Sequence, residues 1–426
     1  LQLEVLPSSM NSNNSLKSEL VSIDDETSEK WIRLLVSYDT LETLGAIRVN
    51  YSKTDKLEKS IFYVDDINIT LGEETVKTDY VFNDESLCEK YSDYFKVGAC
   101  MSANMLRNTE LRKITRDNFN SITAENEGKP EQILDKQACQ EAAINDPCEV
   151  VIKTSPFEKL YDWCEANHIG VRHHTFVWYS QTPGWFFNEG YADNGNKVSK
   201  EVMLVRMENF IKTTIQTIND RWPGLVYAID VANEAIENNA TRRNNNNWYS
   251  VVGEDFVYYA FKYASMYKAD YQELYYNDYS FDYYSRDCEY ALNTLLARTI
   301  EEGLIDGVGI QGHIDSDQNM ENIITDAKLI KEKGLKCQLT ELDITVNGND
   351  DNAFNKQKAA YKLLTKKILE ANIKGETEIN AFIVWGINDD ASWKSNQNPL
   401  LFTRTFAKKL AYYGVYEALD EIEITE

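Results

Sequence analysis

From about residue 85 onward the chain alternates between short apolar runs, typical of buried strands, and longer stretches with the apolar spacing of helices. The clearest run is Val226–Ile236, VYAIDVANEAI, whose apolar residues lead directly into Asn233 and Glu234. A strand with an acidic tip presents a carboxyl group beyond a parallel sheet, where α/β folds place their chemistry. Eight runs are predicted as strands: Phe95–Cys100, Ser121–Glu125, Val171–Trp178, Ala228–Asn233, Glu273–Tyr276, Gly307–Gln311, Lys336–Thr340 and Ile379–Trp385.

Because helical sequence follows each strand, the pattern predicts an α/β protein with a (β/α)8 TIM barrel over residues 85–418. A doubly wound sheet is the alternative, but no glycine-rich phosphate loop follows any strand. Two helices have recognisable ends. One opens with a capping box over Ser155–Glu158, and another, over Met320–Lys333, carries one apolar face and stops at Gly334.

Residues 1–72 differ from the rest, with β-rich segments and no helical period. Strands are predicted over Trp31–Tyr38, Leu44–Tyr51 and Ser60–Thr70, which indicates part of a β-sandwich. Within the last of these, FYVDDI (62–67) resembles the final strand of the family 22 carbohydrate-binding jelly rolls appended to plant-wall hydrolases. That resemblance implies the C-terminal half of such a module; a generic β-appendage is the alternative.

Charge narrows the classes of partner. The 426 residues include 44 Lys and Arg against 69 Asp and Glu, a formal net charge of −25. Nucleic acids and anionic membranes are bound through positive fields, so this balance argues against both. No apolar run reaches the roughly 18 residues that span a membrane. The 26 Tyr and 8 Trp suit stacking on sugar rings, although most such side chains belong to a core.

The seven cysteines leave the redox environment open, because an odd number cannot all pair within one chain. Cys139 and Cys148 flank a short polar loop and could form a local disulfide. No Cys or His spacing suggests structural zinc, so we expect neither a metal nor a cofactor. The chain begins with Leu rather than Met, which we interpret as a processed or truncated product.

The tips of the predicted strands collect side chains suited to one chemistry. They carry Glu125 and Asn126; His173, His174 and Trp178; Asn233 and Glu234; Asn277, Asp278 and Tyr279; Gln311 and His313; Glu341 and Asp343; and Trp385 with Trp393. Amides and carboxylates hydrogen-bond hydroxyl groups, and indoles stack on sugar rings. Two opposed carboxyl groups can cleave an acetal. The combination indicates a glycosidase.

Seven segments, in order over roughly residues 85–418, resemble the signatures of glycoside hydrolase family 10. They are FNSITAENEGKP (119–130), HTFVWYSQTP (174–183), DVANEA (230–235), NDY (277–279), GIQGH (309–313), LTELDI (339–344) and VWGINDDASW (384–393). The resemblance implies a retaining endo-β-1,4-xylanase that cleaves internal bonds of xylan through a covalent glycosyl-enzyme. It also implies that Glu234 is the acid/base and Glu341 the nucleophile.

Substrate-binding roles carry over from the resemblance position by position. Asn233 would hold the 2-hydroxyl of the attacked sugar, His313 would hydrogen-bond the nucleophile, and Gln311 would lie near the acid/base. The remaining positions would contact other parts of the substrate: Glu125, Asn126 and Lys129 on the non-reducing side; His174, Trp178 and Gln181 in the wall of the cleavage subsite; Trp385 and Trp393 as its floor and lid; and Tyr279 as a platform toward the aglycone.

The chain departs from the family pattern at three positions. Tyr179 stands where many members have His, His173 where Gly is usual, and Ala232 where Val is usual. None of them is one of the two carboxylates, so the departures bear on subsite detail rather than on activity.

Two other functions stay open at this point. A β-1,4- or mixed-linkage glucanase uses the same barrel, and only one hydroxymethyl group separates the two sugars. A non-catalytic polysaccharide-binding protein would lack at least one catalytic carboxylate, whereas Glu234 and Glu341 are both present. For the xylanase we expect a secreted monomer whose partners are xylan and xylo-oligosaccharides, with no nucleic acid and no membrane.

Overall fold

The computed structural model describes residues 2–7, 16–17, 44–50 and 86–422. The chain divides into two compact units, Leu1–Asp79 and Tyr80–Glu426.

The first unit contains a small antiparallel sheet. Its middle strand, Gln2–Pro7, pairs with Leu16–Lys17 on one side and with Leu44–Asn50 on the other. The strand predicted over Leu44–Tyr51 is therefore confirmed. The other two predicted strands, Trp31–Tyr38 and Ser60–Thr70, lie outside the described residues, and so does the FYVDDI segment.

Eight parallel strands form a closed barrel in the second unit, which confirms the predicted (β/α)8 TIM barrel. Each strand pairs with its neighbours in sequence, and the first pairs with the eighth. Numbered β1 to β8, they are Lys96–Met101, Ser121–Ala124, Gly170–Trp178, Val226–Asn233, Glu273–Asp278, Gly307–Ile310, Lys336–Thr345 and Ile379–Val384.

Strand β7 is longer than the sequence predicted, because it has a second partner. A short strand, His313–Asp315, pairs with Asp343–Thr345 beyond the predicted end of β7 at Thr340. As a result Glu341 and Asp343 lie within regular strand rather than in a loop. Beyond β4, the short strands Ile236–Glu237 and Thr241–Arg242 form a hairpin.

The connections between strands contain the helices. Leu87–Lys90 precedes β1, and the others, in chain order, are Thr109–Asn118, Pro130–Ile133, Lys136–Ala142, Glu158–Ala166, Lys200–Arg221, Asn247–Val252, Phe256–Tyr267, Ser285–Tyr290, Ala297–Glu301, Glu321–Glu332, Asp351–Ile373 and Leu410–Ala418. A π-helical turn covers Ala291–Leu295, and 3₁₀ turns cover Ala103–Arg107, Gly184–Phe187, Glu189–Tyr191, Ser280–Asp282, Asp389–Ala391, Ser395–Gln397 and Leu419–Glu421.

The two predicted helix ends have different outcomes. The capping box at Ser155 is wrong, because the helix begins at Glu158 and the turn before it closes on the carbonyl of Thr154. That carbonyl accepts hydrogen bonds from the N–H groups of Phe157 (3.0 Å) and Glu158 (2.9 Å). The helix predicted to stop at Gly334 spans Glu321–Glu332, and Gly334 has the left-handed φ of 75° that commonly ends a helix.

A buried ion pair fills the barrel interior beneath the mouth. Both Nη atoms of Arg172 in β3 contact the Asp230 carboxylate of β4, at 2.6 and 3.1 Å, and both side chains are fully buried. Arg172 Nε also donates to Gln338 Oε1 of β7 (2.6 Å). Burial raises the pKa of Asp230, but Arg172 and a hydrogen bond from His174 outweigh it and hold that pKa below its ordinary value. The interior therefore tolerates a charge because the charge is paired.

His173 faces the opposite side of β3, as the alternation of a strand requires. It is fully buried, with Nδ1 2.8 Å from the Tyr161 hydroxyl and its ring edge-on to Phe157. Burial lowers the pKa of this imidazole to about 3. The departure from the family pattern at position 173 thus belongs to the packing of helices on the barrel and not to the mouth.

All seven cysteines are free thiols, so the local disulfide considered for Cys139 and Cys148 is not formed. The Cys139 sulfur accepts the N–H of Val151 (3.2 Å), whereas the Cys148 sulfur lies near the carbonyl of Val202 (4.0 Å). The two side chains therefore have separate surroundings. Within the described part of the chain, no helix is both long enough and apolar enough to cross a membrane.

Candidate active site

Glu234 and Glu341 both lie at the C-terminal end of the barrel strands. Glu234 directly follows the last residue of β4 and adopts a left-handed φ of 52°, while its N–H donates to the carbonyl of Asn277 (2.9 Å). Glu341 lies within β7, and its N–H donates to the carbonyl of Gln311 (2.8 Å). Both are buried, with 9% and 6% of the residue exposed. The sequence prediction that these two residues share one site is supported by this geometry.

The carboxylate of Glu341 contacts one imidazole and one amide side chain. Its Oε1 accepts from Asn277 Nδ2 (2.7 Å), and its Oε2 is 3.2 Å from His313 Nε2. Burial raises the pKa of this carboxyl, but the hydrogen bond from His313, the charges of His174 and His313, and the bond from Asn277 outweigh burial. The pKa of Glu341 therefore lies below its ordinary value, and the group is ionised at neutral pH as a nucleophile must be.

His313 lies between two carboxylates. Its Nδ1 is 2.8 Å from Asp343 Oδ2, and its Nε2 contacts Glu341 as described above. Burial lowers the pKa of the imidazole, but the two carboxylates more than reverse that effect and raise the pKa to about 10. The ring is therefore a cation at neutral pH and donates from both nitrogens.

Asp343 gathers two further donors from the loop after β8. Trp393 Nε1 donates to Asp343 Oδ2 (2.9 Å) and Lys394 Nζ to Oδ1 (2.9 Å). Burial raises the pKa of Asp343, and the bonds and charges of His313 and Lys394 bring it below its ordinary value. The Trp393 ring, 63% exposed, stands edge-on to His313 with 5.1 Å between ring centres. The predicted lid residue thus contacts both Asp343 and His313, the imidazole that hydrogen-bonds Glu341.

Asp282 hydrogen-bonds the backbone that carries His313. Its fully buried carboxylate accepts the N–H groups of Gly312 (2.7 Å) and His313 (2.8 Å). Gly312 has a φ of 83°, a conformation in which glycine is unstrained, and it turns the two N–H groups toward one acceptor. Burial raises the pKa of Asp282 to about 7. The position of the imidazole thus depends on a side chain that does not itself reach the mouth.

Glu234 has neutral hydrogen-bond donors, in contrast to Glu341. Trp178 Nε1 donates to its Oε2 (3.0 Å), and Gln311 Nε2 donates to its Oε1 (3.0 Å). These two contacts place the predicted wall residue and the predicted neighbour of the acid/base on the same carboxyl group. The two carboxyl groups of the site are therefore held in chemically different surroundings.

A chain of amides connects the two carboxyl groups. Thr340 Oγ1 donates to Asn277 Oδ1 (2.6 Å), which directs Asn277 Nδ2 to Glu341 and to Asn233 Oδ1 (2.9 Å). If the Asn233 amide were rotated by 180°, its NH₂ group could donate to Asn277 O and its oxygen could accept from Trp178 Nε1. The same rotation would place the Asn233 NH₂ group 2.9 Å from the NH₂ group of Asn277, so the orientation in which Asn233 Oδ1 accepts from Asn277 is favoured. Gly309 of β6 makes room, because a Cβ there would overlap Asn277 Oδ1.

Arg243 connects Glu234 to the predicted aglycone platform. From the hairpin after β4, its Nε donates to the carbonyl of Glu234 (3.0 Å) and its Nη2 to the Tyr279 hydroxyl (3.1 Å). The guanidinium carbon lies 4.1 Å from the ring centre of Tyr179. Tyr179, the second departure from the family pattern, therefore packs on the residue that supports the backbone of Glu234.

The residues predicted for the non-reducing side form one polar cluster. Lys129 Nζ donates to Asn126 Oδ1 and to Gln181 Oε1, both at 3.0 Å, and it lies 4.9 Å from the ring centre of Trp178. Burial lowers the pKa of Lys129, and burial also raises the pKa of the neighbouring Glu125. These groups present donors and acceptors of the kind that bind sugar hydroxyls.

The predicted wall residue His174 and the predicted floor residue Trp385 lie close to each other. His174 Nδ1 is 2.9 Å from Asp230 Oδ2, so this ring is anchored to the buried ion pair below it. Trp385 is half-buried, with ring centres 5.9 Å from His174 and 6.5 Å from His313. The Trp385 ring therefore contacts both imidazoles, and its role as the floor of the subsite stays a prediction.

The predicted catalytic and substrate-binding residues thus fall at one mouth, whereas His173, which the strand-tip pattern also placed there, packs against Tyr161 and Phe157 instead. Sequence reasoning also missed four supporting groups. It gave no role to Asn277, Arg243, Asp282 or Asp230. Asn277 had a usable signal, since it stands at the tip of β5, whereas the other three act through backbone groups or from beneath the site. Within residues 86–422, no group of three or more His, Cys, Asp and Glu side chains is arranged to hold a metal ion.

The charge of His313 can be tested directly, because the chain has only four His to resolve. We expect the ¹⁵N signals of its imidazole to remain those of a cation above pH 8 and to titrate near 10, as the raised pKa requires. Glu341→Gln removes one of the two carboxylates, so the His313 pKa should fall. The exposed His168 serves as the internal reference, and titration of His313 near 6.5 in the unaltered protein would contradict the assignment.

Comparison with known proteins agrees with this geometry. Residues 86–418 match the sequence profile of glycosyl hydrolase family 10. The chain is 38% identical over 334 residues to the bifunctional endo-1,4-beta-xylanase XylA of Ruminococcus flavefaciens, covering 77% of this chain and 33% of that protein. It is 33% identical over 429 residues to endo-1,4-beta-xylanase Y of Acetivibrio thermocellus, covering 95% of this chain and 38% of that protein. The chain thus spans about a third of the length of these curated relatives.

A solved structure shares the architecture. The CBM22-1–GH10 modules of the Clostridium thermocellum endo-1,4-beta-D-xylanase 10B, complexed with xylohexaose, superpose with a TM-score of 0.72 at 31% identity. The match covers 78% of this chain and 67% of that one. With the profile match extending over most of the chain, and with the two carboxyl groups at the tips of β4 and β7, this protein belongs to glycosyl hydrolase family 10.

Proposed function

We propose that the chain is a retaining endo-β-1,4-xylanase. The observation that carries this proposal is the contrast between two buried carboxyl groups at one mouth, with Glu341 facing a cationic imidazole and Glu234 facing an indole and an amide. Retaining glycosidases need one carboxylate to attack and one acid to protonate the leaving group. The names of the relatives, both endo-1,4-beta-xylanases, support xylan as the substrate.

In the proposed first step, the carboxylate of Glu341 attacks the anomeric carbon while Glu234 donates a proton to the departing glycosidic oxygen. In retaining enzymes the two carboxyl groups stand roughly 5 Å apart and repel each other when both are ionised, which favours a proton on one of them. The His313 cation stabilises Glu341 as the charged partner, which supports Glu341 as the attacking group and leaves Glu234 as the proposed proton donor. The product is a glycosyl ester on Glu341.

In the second step water attacks the anomeric carbon from the face the leaving group has vacated, and the bond from that carbon to Glu341 breaks to release the carboxylate. Glu234, now deprotonated, takes the proton of the water, and a second inversion restores the original configuration. Asn233 is proposed to hold the 2-hydroxyl of the sugar under attack. The polar cluster of Lys129, Asn126 and Gln181 would bind the sugar on the non-reducing side.

The remaining proposals concern context. Xylan is too large to enter a cell intact, so we propose that the protein acts outside the cell. We also propose that it acts as a monomer, because each side chain assigned to the site comes from one barrel.

For residues 1–72 we propose a partial family 22-like module joined to a catalytic domain over 85–418. Support comes from the relative whose alignment covers 95% of this chain, which is more than the barrel alone.

The first prediction separates xylanase from glucanase. Linear xylan and arabinoxylan should both release reducing ends, and mixed-linkage β-glucan should release them at least about tenfold more slowly. A tenfold preference requires only about 1.4 kcal/mol of differential binding in the transition state, which one excluded hydroxymethyl group can supply. Glu341→Gln is the control for contaminating activity on all three polymers. Faster hydrolysis of β-glucan than of xylan would establish the glucanase instead.

The second prediction concerns Glu234→Ala. Its rate on xylan should fall by about 10²–10⁴, because a xylose hydroxyl leaves poorly without a proton. An aryl xylobioside with a good leaving group should still form the glycosyl-enzyme. This intermediate should then accumulate on Glu341, because the variant lacks the base that activates water in the second step. Azide needs no base, so it should restore turnover and give a glycosyl azide of the configuration of the substrate.

The matched control for this experiment is Glu141→Ala, which removes an exposed helix carboxyl far along the chain from both strands. It should behave as the unaltered protein on each substrate. Equal losses on xylan and on the aryl substrate, without azide rescue, would remove Glu234 as acid/base. An azide product of inverted configuration would remove Glu341 as nucleophile.

The third prediction tests the N-terminal module. A chain starting at Tyr80, at the boundary of the second unit, should hydrolyse xylotetraose as fast as the full chain. It should be retained less on insoluble xylan, because a binding surface has been removed. Equal retention of the two chains would contradict the module assignment, whereas loss of activity on xylotetraose by a folded truncated chain would contradict the proposed domain boundary.

A further inference from the structure

Two neighbouring exposed tyrosines extend the loop after β5 beyond the predicted platform Tyr279. Tyr283 is 42% exposed and Tyr284 54%, and their ring centres are 6.5 Å apart with 46° between the planes. Two exposed aromatic side chains side by side suggest a binding surface, because burying these rings would otherwise stabilise the folded protein. The catalytic steps derived above use neither of them.

The first tyrosine is tied to the catalytic apparatus. Its hydroxyl donates to the carbonyl of His313 (2.8 Å), whose imidazole contacts Glu341. Its own carbonyl accepts from Asn322 Nδ2 (3.1 Å). Tyr283 is therefore held at both ends beside the nucleophile, on the loop that also carries the aglycone platform.

A positive charge lies beside the second tyrosine. The guanidinium carbon of Arg286 is 4.8 Å from the ring centre of Tyr284, and 59% of the Arg286 side chain is exposed. Its Nε is 3.7 Å from Asp287 Oδ1, and its Nη2 donates to the carbonyl of Asn238 (3.0 Å). Among the residues that the structure describes, Nη1 has no hydrogen-bond partner, so that edge of the guanidinium is available to a ligand.

Asn238 places this group beside the acid/base. It belongs to the hairpin that follows Glu234, and its Oδ1 accepts from Ser280 Oγ of the β5 loop (3.0 Å). The hairpin and the loop are thus joined at Asn238, from one side by Ser280 and from the other by Arg286. Arg286 is thereby connected to the loop that carries Tyr279, the predicted platform toward the aglycone.

We propose that Tyr283, Tyr284 and Arg286 form a distal aglycone subsite for a xylose unit that carries a uronic acid substituent. The proposal rests on the xylanase function proposed above and adds to it a class of decorated substrate. Aromatic faces stack on sugar rings, and a guanidinium binds a carboxylate through paired N–H groups. With a net charge of −25, most of the protein repels an acidic polysaccharide, so an exposed guanidinium on the rim gives such a chain a favourable local contact.

The test compares glucuronoxylan with the same polymer after its carboxyl groups have been reduced to alcohols. For Arg286→Gln we expect kcat/KM on glucuronoxylan to fall about fivefold, the size of one exposed charge-assisted contact. On the reduced polymer the rate should stay within about twofold. Tyr284→Ala should lower both rates together, because stacking does not depend on the carboxylate.

Arg298→Gln is the matched control. Arg298 makes the same kind of stack, 3.6 Å from the ring centre of Tyr258, and is 55% exposed, but its hydrogen-bond partners are Tyr258 and Glu302, neither of which belongs to the site described above. This variant should leave both rates unchanged. Arg286→Lys retains the charge without the planar fork and should show a smaller loss than Arg286→Gln, and 0.5 M salt should weaken the preference of the unaltered protein for the acidic polymer.

The possible failures are distinguishable. If the unaltered protein releases no reducing ends from the carboxyl-reduced xylan, the proposed xylanase function is wrong. If it does so, but folded Arg286→Gln and Arg286→Lys keep the unaltered ratio of rates on the two polymers, the uronate subsite alone is overturned. Equal losses on both polymers for Arg286→Gln would also overturn it, because the effect would then be structural.

Discussion

The carboxylate of Asp230 is the point on which the barrel and its mouth both depend. It is fully buried, and such a charge is tolerable only because Arg172 and His174 pair with it. Through Arg172 the network continues to Gln338 of β7, and Gln338 Nε2 donates to the Tyr275 hydroxyl of β5 (3.1 Å). Four of the eight strands are thereby fixed in register by one ionic cluster, which lies beneath the carboxyl groups of Glu234 and Glu341.

This cluster also influences the chemistry above it. His174 stands on Asp230 and contributes positive charge that lowers the pKa of Glu341. The Asn277 amide and the His313 cation act on the same carboxylate from β5 and from the loop after β6. Since each of these groups is held by a further partner, the electrostatic field at Glu341 exists before substrate arrives. Such preorganised groups stabilise developing charge without reorganising during the reaction.

Much of this could be predicted from the sequence, for a physical reason. Strands buried on both faces read as apolar runs, and their polar tips have no function in the core, so Glu234, Glu341 and His313 were visible as candidates. The supporting groups were not. Asp282, which follows β5, acts on backbone N–H groups that follow the neighbouring strand β6, and Arg243 approaches Glu234 only once the hairpin after β4 has folded back.

Other misses have the same origin in tertiary contacts. Asp230 reads as an interruption of an apolar strand until Arg172, 58 positions earlier in the chain, is placed opposite it. The helix expected to begin at the Ser155 box begins later because the turn closes on Thr154. The length of β7 depends on a pairing strand, His313–Asp315, which the apolar pattern of the sequence does not reveal.

The contacts of His313 have a consequence for the order of proton transfers. In the resting state Glu341 and Asp343 each carry a negative charge, His313 and Lys394 each a positive one, and the four sum to neutrality. In the proposed intermediate the ester removes the charge of Glu341 and leaves this quartet with an excess of one positive charge. A nearby anion would restore neutrality, and Glu234 is the group positioned to become one. In the proposed mechanism this excess of positive charge favours the step in which Glu234 takes a proton from the attacking water.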